Sequence, residues 1–468
     1  MPQRPTFAAL VLAAGEGTRM KSDLPKVLHP VAGRPMVHWP IAAALDAGAE
    51  RVVAVLGHGH AEVEASLRAR FGDRVAVALQ LERLGTGHAA QCGLPALEGY
   101  EGDVVILYGD VPAIEPEAIT KMVEARGDRP LAMLTCTVDD PTGYGRMVRG
   151  PDGAIAAIVE HKDATEAERA IREINPGVYV AQSSFLRDAL AALRKDNAQG
   201  ELYLTDVVSA AVKGGGTATV PWRLESLLGV NDRAQLAEAD RRVRRRIAVR
   251  HAKAGVTIRD LDRVDIEADV TIGKDAVIEP NVTLRGATSI GERARIDVGC
   301  VLTDVQVDAD AELLPYTVAS ESHVGEKAST GPFSHLRPGS DMGPESKIGN
   351  FVEMKETVLG KGSKANHLAY LGDGIVEGGV NIGAGTIFCN YDGFSKHTTV
   401  LEEGCFIGSD SQLVAPIRVG KGAYVATGTT VTLDVPADAL AVGRAKQSNK
   451  EGYAARLRAR LKARKEKK

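Results

Sequence analysis

Between Val264 and Leu302 the chain repeats every six residues. Ile266, Ile272, Ile278, Leu284, Ile290, Ile296 and Leu302 form one aliphatic file, and Val264, Val270, Ala276, Val282, Thr288, Ala294 and Cys300 form a second file two residues earlier. Six is neither the period of a helix, about 3.6, nor the alternation of a surface strand; it is the edge length of a solenoid coil with three straight sides. Each side sends one aliphatic inward. The rhythm returns after a phase slip at Val318, Val324, Leu336, Met342, Ile348 and Met354, and again at Leu401, Ile407, Leu413, Val419, Val425 and Val431. The C-terminal half is therefore expected to be a stacked parallel β-helix.

This repeat resembles that of the hexapeptide-repeat acyltransferases, which implies a left-handed prism and a homotrimer. The hand comes from the resemblance alone, because ordinary parallel crossovers are right-handed.

The other half opens on Phe7 to Leu12, a short apolar run of buried-strand type, followed by the turn Ala13-Ala14-Gly15-Glu16-Gly17-Thr18-Arg19-Met20. Glycines let main-chain N–H groups approach a phosphate or base, and Arg19 and Lys26 supply the charge that a triphosphate needs. Taken alone, such a turn is equally a βα loop with no ligand. Downstream stand Gln80, the turn Leu84-Gly85-Thr86-Gly87-His88, the strand end Tyr108-Gly109-Asp110, then Gly143-Tyr144-Gly145-Arg146, Glu160, Asn175 and Asn231. In order and spacing these resemble the sugar-phosphate nucleotidyltransferases. Combined with the repeat, they make nearly the whole chain resemble the bacterial bifunctional N-acetylglucosamine-1-phosphate uridyltransferases and glucosamine-1-phosphate acetyltransferases.

The expected fold is thus an α/β Rossmann-like nucleotidyltransferase domain followed by a left-handed parallel β-helix. The expected boundaries are 1–231 for the uridyltransferase domain, 232–252 for a linker helix, 253–443 for the β-helix and 444–468 for a basic tail. In the linker, Leu236, Ala239, Val243 and Ile247 recur at spacings of three and four, with Asp232 as N-cap and Gly255 as stop. Its arginines read as a solvated face rather than a nucleic-acid patch. Upstream, strand-like runs such as Arg51 to Leu56 alternate with helical ones such as Ala61 to Phe71, which implies a doubly wound sheet. The tail carries eleven Lys or Arg against Glu451 and Glu466 in a chain of net charge -4, and reads as a partly disordered, solubilising end.

That near-neutral charge gives no field for nucleic acid. Five scattered cysteines, Cys92, Cys136, Cys300, Cys389 and Cys405, suit neither a disulfide framework nor a zinc site. No apolar stretch approaches the roughly 18 residues of a membrane span, and no secretory leader is evident, so a cytoplasmic enzyme of small molecules is expected.

The resemblance implies site residues for both halves. Leu12, Ala13, Ala14, Gly15, Lys26, Gln80, Gly85, Thr86, Tyr108 and Gly109 would line the nucleotide, UTP, with Arg19 and Lys26 acting in catalysis. Gly145, Glu160 and Asn175 would hold the N-acetylated sugar, and Asp110 and Asn231 a magnesium ion. Such an ion needs few protein oxygens when phosphates and water supply the rest. In the second half, a base must free the lone pair of a protonated amine, and His367 is the candidate. Between Met354 and Val376 the six-residue phase shifts, so His367 is expected in an insertion rather than on a structural file. Arg337 and Lys355 resemble the phosphate grip, with Glu353 orienting its neighbours, and Tyr370 and Asn381 the sugar contacts. Ala384, Asn390, Tyr391, Ser409, Thr427 and Arg444 resemble the acetyl-CoA side, where Thr427 departs from the expected alanine. Asn390 and Thr427 are expected to face His367 from a neighbouring chain.

Two rivals stand beside this reading. A single-function sugar-phosphate nucleotidyltransferase with a merely structural β-helix gives no reason for His367, Lys355 and Asn390-Tyr391. A hexapeptide carbonic anhydrase needs three clustered histidines, and the 11 here are dispersed.

Overall fold

The computed structural model of the chain describes residues 6–197 and 200–466. It divides into two compact units: the first runs to Ile247, the second begins at Ala248, and Ile266–Ala268 groups with the first. Among the described residues, no helix is long and apolar enough to cross a membrane.

The first unit is built on one mixed sheet. Its strands are β1 (Phe7–Ala13), β2 (Ala49–Leu56), β3 (Val75–Leu79), β4 (Asp103–Tyr108), β5 (Leu131–Thr137), β6 (Gly145–Arg149), β7 (Ile155–Val159), β8 (Glu173–Asn175), β9 (Tyr179–Gln182) and β10 (Thr217–Pro221). Their order is β3-β2-β1-β4-β9-β5-β8-β6-β7, with β10 beside β5. The opening apolar run lacks alternation because helices cover both faces: Ala9 and Val11 enter one core, Ala8, Leu10 and Leu12 the other. Strands β1 to β4 pair in parallel, as the βα alternation implies. Beyond β4 the doubly wound expectation fails. There β9 pairs antiparallel with β4 and β5, and β8 with β5 and β6, because short turns such as the one at Gly150 to Ala154 replace crossover helices.

The linker segment is the helix Arg233–Lys253. Asp232 Oδ1 accepts the Gln235 N–H at 2.8 Å, as an N-cap should, and Gly255 follows the helix at φ +100°. Ala239, Val243 and Ile247 are buried, whereas Leu236 is half-buried. Arg241 and Arg242 pair with Glu238, and Arg244 with Asp240, on the same helix.

The second unit is a left-handed parallel β-helix whose coils stack into three sheets of 11, 10 and 9 strands. Both files between Val264 and Leu302 are buried apart from Ile272, which is half-buried. Further along, the registration differs from expectation in two places. Val318 is 42% exposed, and Ala319 takes the inward position. Around His367 the inward residues are Met354, Leu359, Ala365, Leu371, Val376 and Ile382, so two edges are one residue short and nothing is inserted. His367 ends the coil strand Lys364–His367. The shortening is absorbed at corners where Glu356 and Asp373 adopt φ of +46° and +53°, a tight left-handed turn that replaces a longer one. The real extra stretch is 390–398, between inward Phe388 and Leu401. The basic tail also departs from the expected disorder. Tyr453–Lys465 forms an exposed helix, in keeping with its Ala, Leu, Arg and Lys content, while Lys467 and Lys468 lie outside the described residues.

Candidate active sites

In the first unit, β1 and β4 end side by side, and Gly109 N–H donates to Leu12 O at 2.8 Å. A Cβ at Gly109 would lie 2.8 Å from that of Ala13, so only glycine lets the two strand ends approach. Ligands in open α/β sheets bind at this edge. Asp110 follows directly, and a cavity of about 920 Å³ opens beside it. Arg19, Thr86, Tyr108, Asp110, Gly145, Glu160, Asn175 and Asn231 line that cavity. Leu12, Ala13, Ala14, Gly15, Gln80, Gly85 and Gly109 do not line it; they sit in the turns at its border.

Lys26 reaches the cavity through its partners. Its Nζ donates to Asp110 Oδ2 at 2.6 Å and to Asn231 Oδ1 at 3.2 Å, although Lys26 itself is 8% exposed. Gly17, at φ +68°, makes room for the lysine stem: a Cβ there would meet Lys26 Cβ at 2.4 Å. Two side-chain oxygens thus converge on one positive charge. On the nucleotide side, Gln80 Nε2 donates to Gly85 O at 3.1 Å, and Thr86 Oγ1 accepts the Leu204 N–H at 3.2 Å.

At the far end of the cavity, Asn175 is 6% exposed and pairs in register with Gly145. Burial raises the Glu160 carboxyl above its ordinary range, against a hydrogen bond from Thr205 that lowers it. Tyr179, Tyr203, Thr205 and Asp206 belong to this neighbourhood and were missed in the sequence, where Leu202 to Asp206 carries no glycine turn or charge motif.

In the second unit the named residues fall into two groups. One lies on the sheet face carrying Glu353–Lys355, Tyr370–Gly372 and Ile387–Cys389. Arg337 donates to Glu353 Oε1 at 2.8 Å, and Lys355 Nζ to Asp373 Oδ1 at 3.5 Å. Asn390 Nδ2 donates to Asp373 Oδ2 and to Tyr370 Oη. Gly372 is required between them, since a Cβ would meet Tyr370 Oη at 2.5 Å and Asn390 Nδ2 at 2.6 Å. Lys396, on the extra stretch, joins this group: the Lys355 ammonium beside it pulls Lys396 below the ordinary lysine range, while Lys396 and Asp373 hold Lys355 above it. Asp373 and Lys396 were not legible in the sequence, because the shortened corner and the extra stretch bring them in.

The other group is a ladder along the preceding corner, one residue per coil. Leu368 N–H donates to Asn350 O, Gly385 N–H to His367 O, Asp410 N–H to Ala384 O, and Gly428 N–H to Ser409 O. His367, Ala384, Ser409 and Thr427 therefore stack in one chain, and Arg444 donates to Thr427 O above them. This corrects the expectation that Thr427 meets His367 from a neighbouring chain; it stands three coils above on the same corner. His367 is exposed and its Nδ1–H donates to Asn350 Oδ1 at 2.7 Å, leaving Nε2 as the acceptor nitrogen. Asn381 lies one strand row away from this corner, in register with Lys364 and Phe406. Tyr391 is 62% exposed on the extra stretch.

These features define a nucleotidyltransferase unit joined to a hexapeptide-repeat transferase unit. Residues 9–209 match the MobA-like NTP transferase domain, and residues 263–304 and 398–432 match the hexapeptide repeat of succinyl-transferase. The bifunctional protein GlmU of Sorangium cellulosum is 58% identical over 470 residues, covering 99% of both chains. That of an Anaeromyxobacter species is 52% identical over 98% of this chain and 95% of its own, and that of Trichlorobacter lovleyi 48% over 96% and 98%. The chain belongs to the bifunctional GlmU family.

Proposed function

We propose that the chain makes UDP-N-acetylglucosamine from glucosamine 1-phosphate in two steps, one per unit. The observation that carries this reading is that the residues implied for each reaction converge within one unit, at the cavity and at the corner ladder. In the second unit, His367 Nε2 takes a proton from the glucosamine ammonium. The freed amine then attacks the thioester carbonyl of acetyl-CoA, the C–S bond breaks, and the thiolate leaves with a proton returned to it. Arg337, Lys355 and Lys396 suit the sugar phosphate. The ladder from His367 to Thr427 rises about 4.8 Å per coil, on the order of 14 Å in all, which suits an extended acyl carrier with its phosphates toward Arg444.

In the first unit, a phosphate oxygen of N-acetylglucosamine 1-phosphate attacks the α-phosphorus of UTP. A new P–O bond forms as the bridge to the β-phosphorus breaks and pyrophosphate leaves. Such chemistry needs charge neutralisation and in-line placement more than covalent help. Lys26 and Arg19 supply positive charge from the protein. Magnesium fits this site: the Asp110 and Asn231 oxygens already converge on the Lys26 ammonium, a cation standing where a metal would, and both are the hard oxygen donors it prefers. When bound there, it would neutralise phosphate charge.

A cyclic homotrimer follows from the corner at Tyr316, Phe333, Phe351 and Leu368. Each is at least half exposed, the three aromatics stack at 5.2 and 5.6 Å, and Phe394 on the extra stretch is 96% exposed. Contacts between two different patches of one chain close into a ring when their heights match. All five cysteines are free, in keeping with a cytoplasmic enzyme. The test is incubation with glucosamine 1-phosphate, acetyl-CoA, UTP and magnesium, reading free thiol and pyrophosphate separately. Both should appear, and pyrophosphate without thiol would reduce the β-helix to a scaffold.

A further inference from the structure

The cavity of the first unit contains one hydroxyl that neither reaction step above employs. Tyr179 is 2% exposed yet lines the cavity. Its hydrogen bonding with Asn175 is unambiguous. Gly177 N–H donates to Asn175 Oδ1 at 3.0 Å, which identifies the carbonyl side of that amide. Asn175 Nδ2 then donates to Tyr179 Oη at 2.5 Å. The tyrosine oxygen is thereby an acceptor, and among the described residues no hydrogen bond takes its own proton. Burial, with Tyr108 close by, holds the phenol well above its ordinary value, so that proton stays in place. The second Nδ2 hydrogen of Asn175 has no partner among the described residues either.

Two buried donors therefore sit side by side at a cavity wall whose neighbouring acceptor is Glu160. An acetamido group offers a carbonyl oxygen and an N–H, the complement of that set. A free amine, protonated at neutral pH, offers only donors. Glu160 by itself cannot tell the two apart, since a carboxylate accepts from an acetamide N–H and attracts an ammonium. The discrimination has to come from the paired donors. With the acetylated sugar they meet a carbonyl; with the amine they are stripped of water and meet nothing, a costly outcome for buried polar groups.

We propose that Tyr179, together with Asn175, forms a paired-donor subsite for the acetamido carbonyl and so makes the uridyltransferase unit select the N-acetylated sugar phosphate over the free amine. This rests on the reading above that Gly145, Glu160 and Asn175 hold the sugar. It explains an order of reaction: a unit that rejects the amine leaves acetylation to come first.

Tyr179→Phe in the full chain keeps the ring and deletes the hydroxyl. The measurement is kcat/KM for uridylyl transfer to N-acetylglucosamine 1-phosphate and to glucosamine 1-phosphate, with KM for UTP and the acetyl-transfer rate read alongside. The preference for the acetylated sugar should fall by at least about 10-fold through its KM, with the other two unchanged. A purely structural role would depress transfer to both sugars and raise KM for UTP, leaving the ratio intact, and that result overturns the proposal. Asn175→Asp, which replaces the amide donor by an acceptor of the same shape, gives the second reading: it should cost the acetylated sugar far more than the amine. Should Tyr179→Phe fail to fold, an unchanged ratio in Asn175→Asp overturns the proposal. A parent protein that transfers uridylyl to neither sugar overturns the functional reading itself and this inference with it.

Discussion

The imidazole of His367 is set by one bond. Because its Nδ1–H is spent on Asn350 Oδ1, the lone pair must lie on Nε2, which turns an exposed ring into an oriented base. His367→Ala should lower acetyl transfer by roughly 10²- to 10⁴-fold, with uridylyl transfer unchanged, and the deficit should shrink at high pH where free amine is abundant. Thiol release at the parent rate would remove His367 from its role. Asn350→Ala, which only frees the tautomer, should fall between the two. Asp110→Ala should abolish most pyrophosphate release while the melting temperature stays near that of the parent, since a strand-end carboxylate leaves no core cavity when removed. Persisting uridylyl transfer at ordinary magnesium would contradict the metal role.

Coils of the β-helix approach each other so closely that some positions tolerate no side chain. Gly349 lies in the strand Lys347–Asn350, where a Cβ would stand 1.9 Å from Asn366 O, a main-chain atom that cannot swing aside. Gly349→Ala should destabilise the second unit by about 1–3 kcal/mol or more, read as an earlier melting transition, and should displace the adjacent Asn350 and His367. A different ladder carries a charge clamp. His323 Nδ1 bonds Asp341 at 2.7 Å and Nε2 bonds Asp308 at 2.8 Å, one carboxylate from each neighbouring coil. Desolvation opposes the imidazolium, but the two carboxylates win and raise His323 above its ordinary 6.5. A raised folded-state value means the stabilisation is complete below pH 6.5 and is lost as pH climbs through the higher folded value. Melting temperature should therefore decline above neutrality in the parent, and His323→Gln should flatten that decline. A parallel decline in both proteins would show that the clamp is not its source.

Two complete sets of catalytic groups occupy two compact units, and neither set draws on the other. A fragment ending after the Arg233–Lys253 helix should retain uridylyl transfer, and one beginning near Ala252 should retain acetyl transfer if it still associates. Light scattering should give three chains per particle. A mass of one chain across a wide concentration range would exclude the trimer, and Phe351→Lys, placing charge in the stacked aromatic corner, should dissociate it and reduce acetyl transfer first.

Much of this was readable from residue order, for a physical reason: period and local conformation are carried by the chain itself. The six-residue files are buried because an aliphatic at every edge can only be satisfied by a coil, and Asp232 caps its helix because a short acidic side chain there has free N–H groups within reach. Tertiary packing settled what periodicity cannot express. A slip in phase at Met354 reads equally as an addition or a loss, and only the inward burial of Leu359 and Val376 shows that residues are missing, leaving His367 on a strand and moving the extra stretch to 390–398. Likewise, nothing local marks Tyr179 or Lys396. Each acquires its meaning from groups distant in the chain: Tyr179 lines a cavity with Glu160 and Asn175, and Lys396 meets Lys355 across stacked coils, contacts between segments that no short window of sequence contains.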